Sequence, residues 1–191
     1  MKKYLYILFA TCLFSSCNND NLFDDPWGIS SEFEKTNLSA IEVLSSAEAW
    51  RGVELYYYTE TNGKGDKYHL EDPSELLGIS EPIYVFTPNT ITSYEYDGSI
   101  PAIYYIESAL ENVDGKMFRY KFLYDESYMK VLDYDEENVL IETNGHQLIR
   151  NDITYDYAII HFKQFDAKPG WKDKYLTYEE YVELLKELGR Y

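Results

Sequence analysis

Met117-Phe118-Arg119-Tyr120-Lys121-Phe122-Leu123-Tyr124 is the stretch with the clearest two-residue alternation in the chain. Aromatic side chains take every second position, and the positions between them are occupied by Arg119, Lys121 and Leu123. Successive side chains of a β-strand point to opposite faces, so this pattern predicts a strand with one aromatic face. The stretch therefore predicts a mainly β fold.

Similar short runs of apolar and aromatic residues extend in both directions from this stretch. Turn pairs separate them, namely Pro88-Asn89, Asp97-Gly98, Asp114-Gly115 and Asn144-Gly145. We expect an antiparallel meander of about 8–10 strands, because the connections are too short for crossover helices. We expect the sheet to close into a barrel or to curl strongly, because closure removes the exposed edge strands. Asn144-Gly145 is the strongest hairpin signal and predicts that residues 147–150 pair back on residues 139–143.

Two helices are predicted at the ends of this β-region. Asn37 or Ser39 can cap a short helix that runs through Leu44. Thr177 and Glu180 form a capping box, and Gly189 stands where the second, amphipathic helix is expected to stop. We expect this C-terminal helix to pack on the sheet or to plug one end of a barrel.

Residues 50–190 resemble the lipocalin-like domains of small exported lipoproteins. The resemblance rests on Trp50 at the start of the first strand, the long antiparallel meander and the packing helix. It implies a barrel with a small-molecule site inside. Lipocalins proper have a glycine two residues before this tryptophan, where the chain has Glu48, and their helix precedes a final strand, whereas this one is terminal.

The N-terminus has the order of residues expected of an export signal. Lys2 and Lys3 precede the apolar run 4–14, and two serines then stand directly before Cys17. The run is too short to cross a bilayer as a helix, which takes about 20 residues. An ordinary signal peptide that is cleaved elsewhere is the alternative to the interpretation that follows.

Ser15-Ser16-Cys17 resembles the small-residue box of bacterial lipoproteins. The resemblance implies that Cys17 carries a diacylglycerol thioether and fatty acyl chains such as palmitate, after removal of residues 1–16. Asn18 follows, instead of the aspartate that resembles an inner-membrane retention signal, which favours the outer membrane. The acidic residues Asp20, Asp24 and Asp25 look like the surface-export signal of Bacteroidota lipoproteins. We therefore expect display at the cell surface, with the periplasmic face as the alternative.

The resulting organisation has three parts. Residues 1–16 form a signal peptide, 17–36 the lipidated cysteine with a flexible tether, and 37–191 a single β-rich domain. Cys12 lies in the removed part and no third cysteine exists, so no disulfide is expected. The net charge of −17 repels phosphate backbones and excludes nucleic acid as a partner.

The chain has 21 tyrosines, nine phenylalanines and three tryptophans, an aromatic excess that favours strands and can also line a ligand site. We predict a non-enzymatic, lipid-anchored binding module of the outer membrane that holds a small apolar or glycan ligand. The alternative is an accessory or structural lipoprotein that contacts other envelope proteins. The candidate ligand-lining residues are Trp50, Tyr57, Phe86, Phe118, Tyr120 and Phe122.

The remaining polar residues give only weak signals for chemistry. His69 stands next to Leu70-Glu71, and His146 and His161 have no nucleophile motif beside them. Asp133, Asp135 and Glu137 alternate in a turn that calcium could occupy, although the central glycine of an EF-hand loop is missing. We predict a solvated turn there, and neither a metal nor a cofactor.

Overall fold

The structure is a computed structural model that describes residues 33–59, 65–71, 83–97, 99–100, 102–122, 125–145, 147–165 and 167–191, with only the backbone at residue 122. The described chain has two α-helices, one short 3₁₀ turn (Trp171–Lys174) and twelve strands. The helices are α1 (Ala40–Ser46) and α2 (Tyr178–Glu187). The strands are β1 (Trp50–Tyr58), β2 (Lys67–Leu70), β3 (Ile83–Phe86), β4 (Thr90–Asp97), β5 (Ala102–Asn112), β6 (Met117–Phe122), β7 (Asp125–Tyr134), β8 (Asn138–Thr143), β9 (Leu148–Arg150), β10 (Ile153–Tyr155), β11 (Tyr157–Gln164) and β12 (Leu176–Thr177).

Eight of these strands close into an antiparallel barrel. The order around the barrel is β1, β3, β4, β5, β6, β7, β8 and β11, and β11 pairs back with β1. This closing seam runs the length of β1, from Trp50 opposite Gln164 to Tyr58 opposite Tyr157. The mainly β fold is confirmed, and of the two predicted forms it is the closed barrel. Closure satisfies the backbone groups that the two outer strands of an open sheet would expose.

The other edge of β1 is shared between two short strands. β3 pairs with its start, at Trp50 and Arg51, and β2 pairs with its end, from Leu55 to Tyr58. Strands β2 and β3 together therefore take the place of one long strand. The predicted hairpin at Pro88-Asn89 is confirmed, because β3 and β4 pair directly on either side of it.

The prediction for Asn144-Gly145 is wrong. β8 pairs with β7 and β11, whereas β9 pairs with β10. Neither Asn144 nor Gly145 has a positive φ angle, but Asn151 and Asp152 do, at 51° and 63°. Two consecutive residues with positive φ are the geometry of a type I′ hairpin turn, so the tight hairpin forms one turn later in the chain.

Helix α1 closes one end of the barrel. Ser39 is its N-cap, as predicted, and its backbone N–H donates a 2.8 Å hydrogen bond to the Glu42 carboxylate. Val43 and Leu44 are fully buried in the same hydrophobic cluster as Trp50. This end of the barrel is consequently a packed core.

Helix α2 packs against the opposite end of the barrel. The predicted capping box is present, since Glu180 N–H donates to the Thr177 hydroxyl at 3.2 Å and Thr177 N–H donates to the Glu180 carboxylate at 2.8 Å. Strand β12, just before the helix, adds to β5 in a parallel pairing. Tyr181 stacks on Tyr104 with ring centroids 4.0 Å apart. Neither α1 nor α2 has the length and apolar character that a transmembrane helix requires, and the same holds throughout the described residues.

Candidate functional site

Five of the six predicted lining residues point into the barrel. Trp50, Tyr57, Phe86, Phe118 and Tyr120 are all buried in one interior cluster. The side chain of Phe122 lies outside the described part of the structure. The two-residue alternation thus identified the inner face of these strands correctly.

Most of the barrel interior is occupied by the protein's own side chains. Trp50, Phe118 and Phe162 are fully buried near the α1 end, with Phe86 beside them. At the other end, the β9–β10 hairpin contributes Leu148 and Tyr155 to the same cluster. Side chains that fill the interior leave little space for a ligand along the whole barrel axis.

A cleft opens in the barrel wall where β5 and β6 separate. Among the described residues, the two strands pair from Leu110 opposite Tyr120 to Asn112 opposite Phe118, although β5 continues for eight further residues before Leu110. The cleft has a volume of about 790 Å³. We call it the β5–β6 cleft, and it is lined by residues 105–111 of β5, 119–121 of β6, Glu126 of β7 and residues 177–179 at the start of α2.

The lining of this cleft combines an apolar inner side with a charged rim. Ile106, Leu110 and Tyr120 face inward and are buried. The Ser108 hydroxyl between them donates a hydrogen bond to the carbonyl oxygen of Lys121. Acidic and basic side chains surround the opening, namely Glu107, Glu111, Arg119, Lys121, Glu126 and Glu179. A site of this kind suits a ligand with an apolar body and a polar end.

Tyr120 is held in the cleft wall by close contacts with Thr143 at the end of β8 and with Gly145 just after it. Its hydroxyl lies 3.5 Å from Thr143 Oγ1, and that Thr143 hydroxyl donates to the carbonyl oxygen of Tyr128 at 2.7 Å. A side chain at Gly145 would collide with the Tyr120 hydroxyl, so glycine is required there by space. Burial raises the pKa of Tyr120 above its ordinary value of 10.0, which keeps the phenol neutral.

A carboxyl group lies inside the barrel beyond this cleft. Ile91, Ser93 and Glu95 occupy alternate positions of β4 and share the inner face, and Glu95 stands opposite Tyr104 of β5. Burial raises the pKa of Glu95 above its ordinary value of 4.5, and its interaction with the Ser93 hydroxyl acts in the opposite direction. Sequence reasoning missed Glu95. The available signal was the series Ile91, Ser93, Glu95, Asp97, in which polar residues continue the inner face of a strand.

A second buried carboxyl group lies on the outer face of the barrel. Glu142 is 2% exposed, and the Tyr128 hydroxyl donates to its Oε1 at 3.0 Å. Burial raises the pKa of Glu142, while interactions with the hydroxyls of Tyr128 and Tyr58 lower it. The neighbouring Tyr58 and Tyr157 rings stack with centroids 5.6 Å apart. This cluster lies apart from the residues that line the β5–β6 cleft.

Two of the three histidines lie in the described part of the structure, on strands that flank β1. His161 Nδ1 is 3.8 Å from the Glu54 carboxylate, and its Nε2 is 3.2 Å from Asn138 Oδ1. The His69 ring stacks on Tyr56 at 4.2 Å. Burial lowers the pKa of His161. His146 lies outside the described residues. The absence of enzymatic activity stays a prediction.

The acidic turn between β7 and β8 uses its carboxylates for its own hydrogen bonds. Asp135 Oδ1 accepts from the backbone N–H groups of Glu137 and Asn138, both at 2.7 Å, and Asp133 Oδ1 accepts from Tyr134 N–H at 2.9 Å. Within the described ranges, no group of three or more His, Cys, Asp or Glu side chains is placed to hold a metal ion.

The predicted lipidation site, Cys17, lies outside the described residues, and its role stays a prediction. Large apolar side chains exposed on the described surface are distributed over several elements of the fold. They are Leu38, Tyr96, Val113, Ile149, Leu188 and Tyr191. A large exposed apolar patch would have favoured the accessory-lipoprotein alternative, and these residues give it no specific support.

Comparison with known proteins gives structural neighbours but no sequence family. Neither a protein-family model nor a curated protein matches the sequence. The structural neighbours include lipocalin-like proteins. One is a lipocalin-like protein from Bacteroides uniformis, with 12% identity and a TM-score of 0.39 over 62% of this chain and 97% of that chain.

Another neighbour is bovine odorant-binding protein in complex with undecanal, with 11% identity and a TM-score of 0.39 over 82% of this chain and 89% of that chain. The siderocalin Ex-FABP matches with 13% identity and a TM-score of 0.37, covering 75% of this chain and 86% of that chain. At this level of likeness no function is transferred. The closed barrel is established by the chain's own strand pairings.

Proposed function

We propose that this protein is a lipid-anchored binding module of the outer membrane whose barrel holds a small, mainly apolar molecule in the β5–β6 cleft. The observation that carries the binding function is the cleft itself. Its volume of about 790 Å³ falls in the range of small-molecule sites, roughly 300–1,000 Å³. Ile106, Leu110 and Tyr120 would contact the apolar body of the ligand.

The position of the cleft supports this proposal. α1 and Trp50 close one end of the barrel, and the β9–β10 hairpin contributes to the core at the other. The separation of β5 from β6 therefore provides a lateral route to inward-facing residues. Of the six residues predicted from sequence, Tyr120 lines this route directly. The others form the packed interior behind it, apart from Phe122, whose side chain is not described.

Blocking the cleft tests the binding proposal. Ala109 is exposed and lines the cleft, so Ala109→Trp would fill the opening without disturbing the core. We expect it to weaken binding of N-phenyl-1-naphthylamine, a fluorescent apolar probe, by about tenfold or more. Val113→Trp is the control, because Val113 is 42% exposed just beyond β5 and does not line the cleft. Unchanged binding in Ala109→Trp would place any ligand elsewhere.

The two ligand classes predicted from the sequence can be separated by direct titration. Linear alkanols represent apolar ligands, and oligosaccharides of two to six sugars represent glycans. We expect the alkanols to bind in competition with the probe, because the inner side of the cleft is apolar. Competition by the sugars alone would favour the glycan class.

The membrane anchor is supported by the residue order that ends in Cys17. Labelling of producing cells with radioactive palmitate should mark the protein, and Cys17→Ala should abolish the label. Cys12→Ala is the matched control and should keep it, because Cys12 lies within the segment that the resemblance removes. A label that survives in Cys17→Ala contradicts the anchor. Protease treatment of intact cells then distinguishes surface display from the periplasmic face.

A further inference from the structure

Glu95 lies on the inner face of the barrel at the end that α2 covers. It follows Ile91 and Ser93 on the same face of β4, and its cross-strand neighbour is Tyr104. Tyr104 stacks on Tyr181 of α2, so the helix lies directly above this part of the wall. The carboxyl group therefore faces a space bounded by β4, β5 and α2.

Tyrosines on three neighbouring strands lie within range of the Glu95 charge. Its charge acts on Tyr84 of β3, Tyr104 of β5 and Tyr120 of β6, and burial together with this charge raises the pKa of Tyr104 to about 12. No salt bridge links Glu95 to any side chain in the described ranges. The nearby Ser93 hydroxyl is buried and has no hydrogen-bond partner of ordinary geometry among the described residues.

An ammonium group is the ligand chemistry that fits these surroundings. A carboxylate removed from water is costly unless a cation or several donors compensate it. Aromatic faces attract cations in addition. The net charge of −17 also draws cations toward the protein and repels fatty carboxylates.

The apolar part of such a ligand would extend into the β5–β6 cleft, whose lining begins at Tyr105, beside Tyr104, and includes Tyr120. Ile106 is the next inward-facing residue after Tyr104 on β5, and Leu110 lies two further inward positions along. Inward positions on a strand are about 7 Å apart, so Leu110 lies about 20 Å from Tyr104, and an extended alkyl chain of about ten carbons covers roughly half of that distance.

We propose that the site binds an amphipathic cation, whose ammonium group pairs with Glu95 near Tyr84, Tyr104 and Tyr120 and whose alkyl chain lies along Ile106 toward Leu110. This inference rests on the proposed function and specifies its ligand class. The carboxylate and the tyrosine rings would bind the charged end of the ligand, and the apolar side of the cleft would contact its alkyl chain.

Three probes of equal chain length test this inference. Decyltrimethylammonium, decanol and decanoate differ only in the charge and shape of the head group. Isothermal titration on the purified protein, with each probe below its micelle concentration, should show the ammonium probe binding about tenfold tighter than decanol. Decanoate should bind most weakly.

Glu95→Gln keeps the size of the side chain and removes its charge. We expect it to lower the affinity for decyltrimethylammonium to that for decanol, and to leave decanol binding unchanged, which also shows that the variant is folded. Glu187→Gln is the control, because Glu187 is exposed at the end of α2 and does not line the cleft. It should keep the preference for the ammonium probe.

The outcomes separate this inference from the proposed function. Equal affinity for all three probes would contradict the proposal of an amphipathic cation. A preference for the ammonium probe that survives in Glu95→Gln would contradict it too. Loss of the preference in Glu187→Gln as well also overturns it, because the preference would then reflect the net charge of the protein. Failure of decanol and the ammonium probe to bind the wild-type protein at all removes the proposed binding function itself.

Discussion

The indole Nε1–H of Trp50 donates a 2.8 Å hydrogen bond to the carbonyl oxygen of Leu44, and both side chains are fully buried. The bond joins the first residue of the first barrel strand to helix α1. Leu44 lies in the last turn of α1, where backbone carbonyl groups have no partner inside the helix. Trp50 therefore fixes the closing helix to the barrel as well as filling the core.

Trp50→Phe should destabilise the protein by about 2–4 kcal/mol. The substitution removes packing volume and leaves a buried carbonyl group without its donor. Urea denaturation followed by circular dichroism measures the change. Trp171→Phe is the matched control, because Trp171 Nε1 donates to Glu48 at an exposed site and its loss should cost less than about 1 kcal/mol. Equal losses in the two variants would contradict the role of Trp50.

Gly145→Ala should destabilise the protein by about 1–3 kcal/mol, because the new methyl group would overlap the Tyr120 hydroxyl. Removing that hydroxyl should relieve the overlap. The cost of Gly145→Ala should therefore be smaller in a Tyr120→Phe background, as a double-mutant cycle would show. Additive costs would mean that the backbone at position 145, and not the hydroxyl, resists the substitution.

Asp97 should stabilise the fold above about pH 4 and lose this effect in acid. Hydrogen bonds from Ser99 and Tyr181 hold the pKa of its carboxyl at about 2, below the ordinary value of 3.8. Because the folded pKa is lowered, the contribution is present above the unfolded pKa and disappears as the pH falls through about 2. Asp97→Asn should thus lower the melting temperature at pH 7 and have little effect near pH 2.

NMR titration of the Asp97 carboxyl carbon provides a direct check. Tyr181→Phe removes one of the donors and should raise the pKa of Asp97 toward its ordinary value. An unchanged pKa in that variant would mean that Tyr181 does not stabilise the carboxylate.

Glu142 should show the opposite pH dependence. Burial raises the pKa of its carboxyl above 4.5, so the ionised form weakens the folded state at neutral pH. With a raised folded pKa, stability increases as the pH falls through that pKa and is lower above it. Glu142→Gln should raise the melting temperature at pH 7, because an amide oxygen can still accept from Tyr128. The gain should vanish in acid, and a gain that is independent of pH would contradict this explanation.

The elements of the fold followed from local patterns. Two-residue alternation identified the strands and the inner position of residues such as Phe118 and Tyr120. Side chains near a helix start decide its capping, so Ser39 and Thr177 marked both helix N-termini correctly. These signals involve only a few neighbouring residues and can therefore be recognised in a single sequence.

Which strands pair with each other was harder to predict from the sequence, as residues 144–152 show. Asn144-Gly145 has the composition of a tight hairpin, yet β8 is already paired on both edges, with β7 and β11. Residues 148–150 cannot add to it and pair with β10 through Asn151-Asp152 instead. The competition for backbone hydrogen bonds on β8 involves strands that are distant in the chain.

By itself, the sequence determined the kind of secondary-structure elements and the aromatic inner face, and it predicts the export signal that precedes Cys17. Only the tertiary structure decided that β11 closes on β1, that β5 leaves β6 to open a cleft, and that Glu95 faces the interior without a described cation. Those features depend on which distant strands meet and where they separate. The order and tilt of the strands in the closed barrel determine where strands meet and where they separate, and no local stretch of residues specifies that order or tilt.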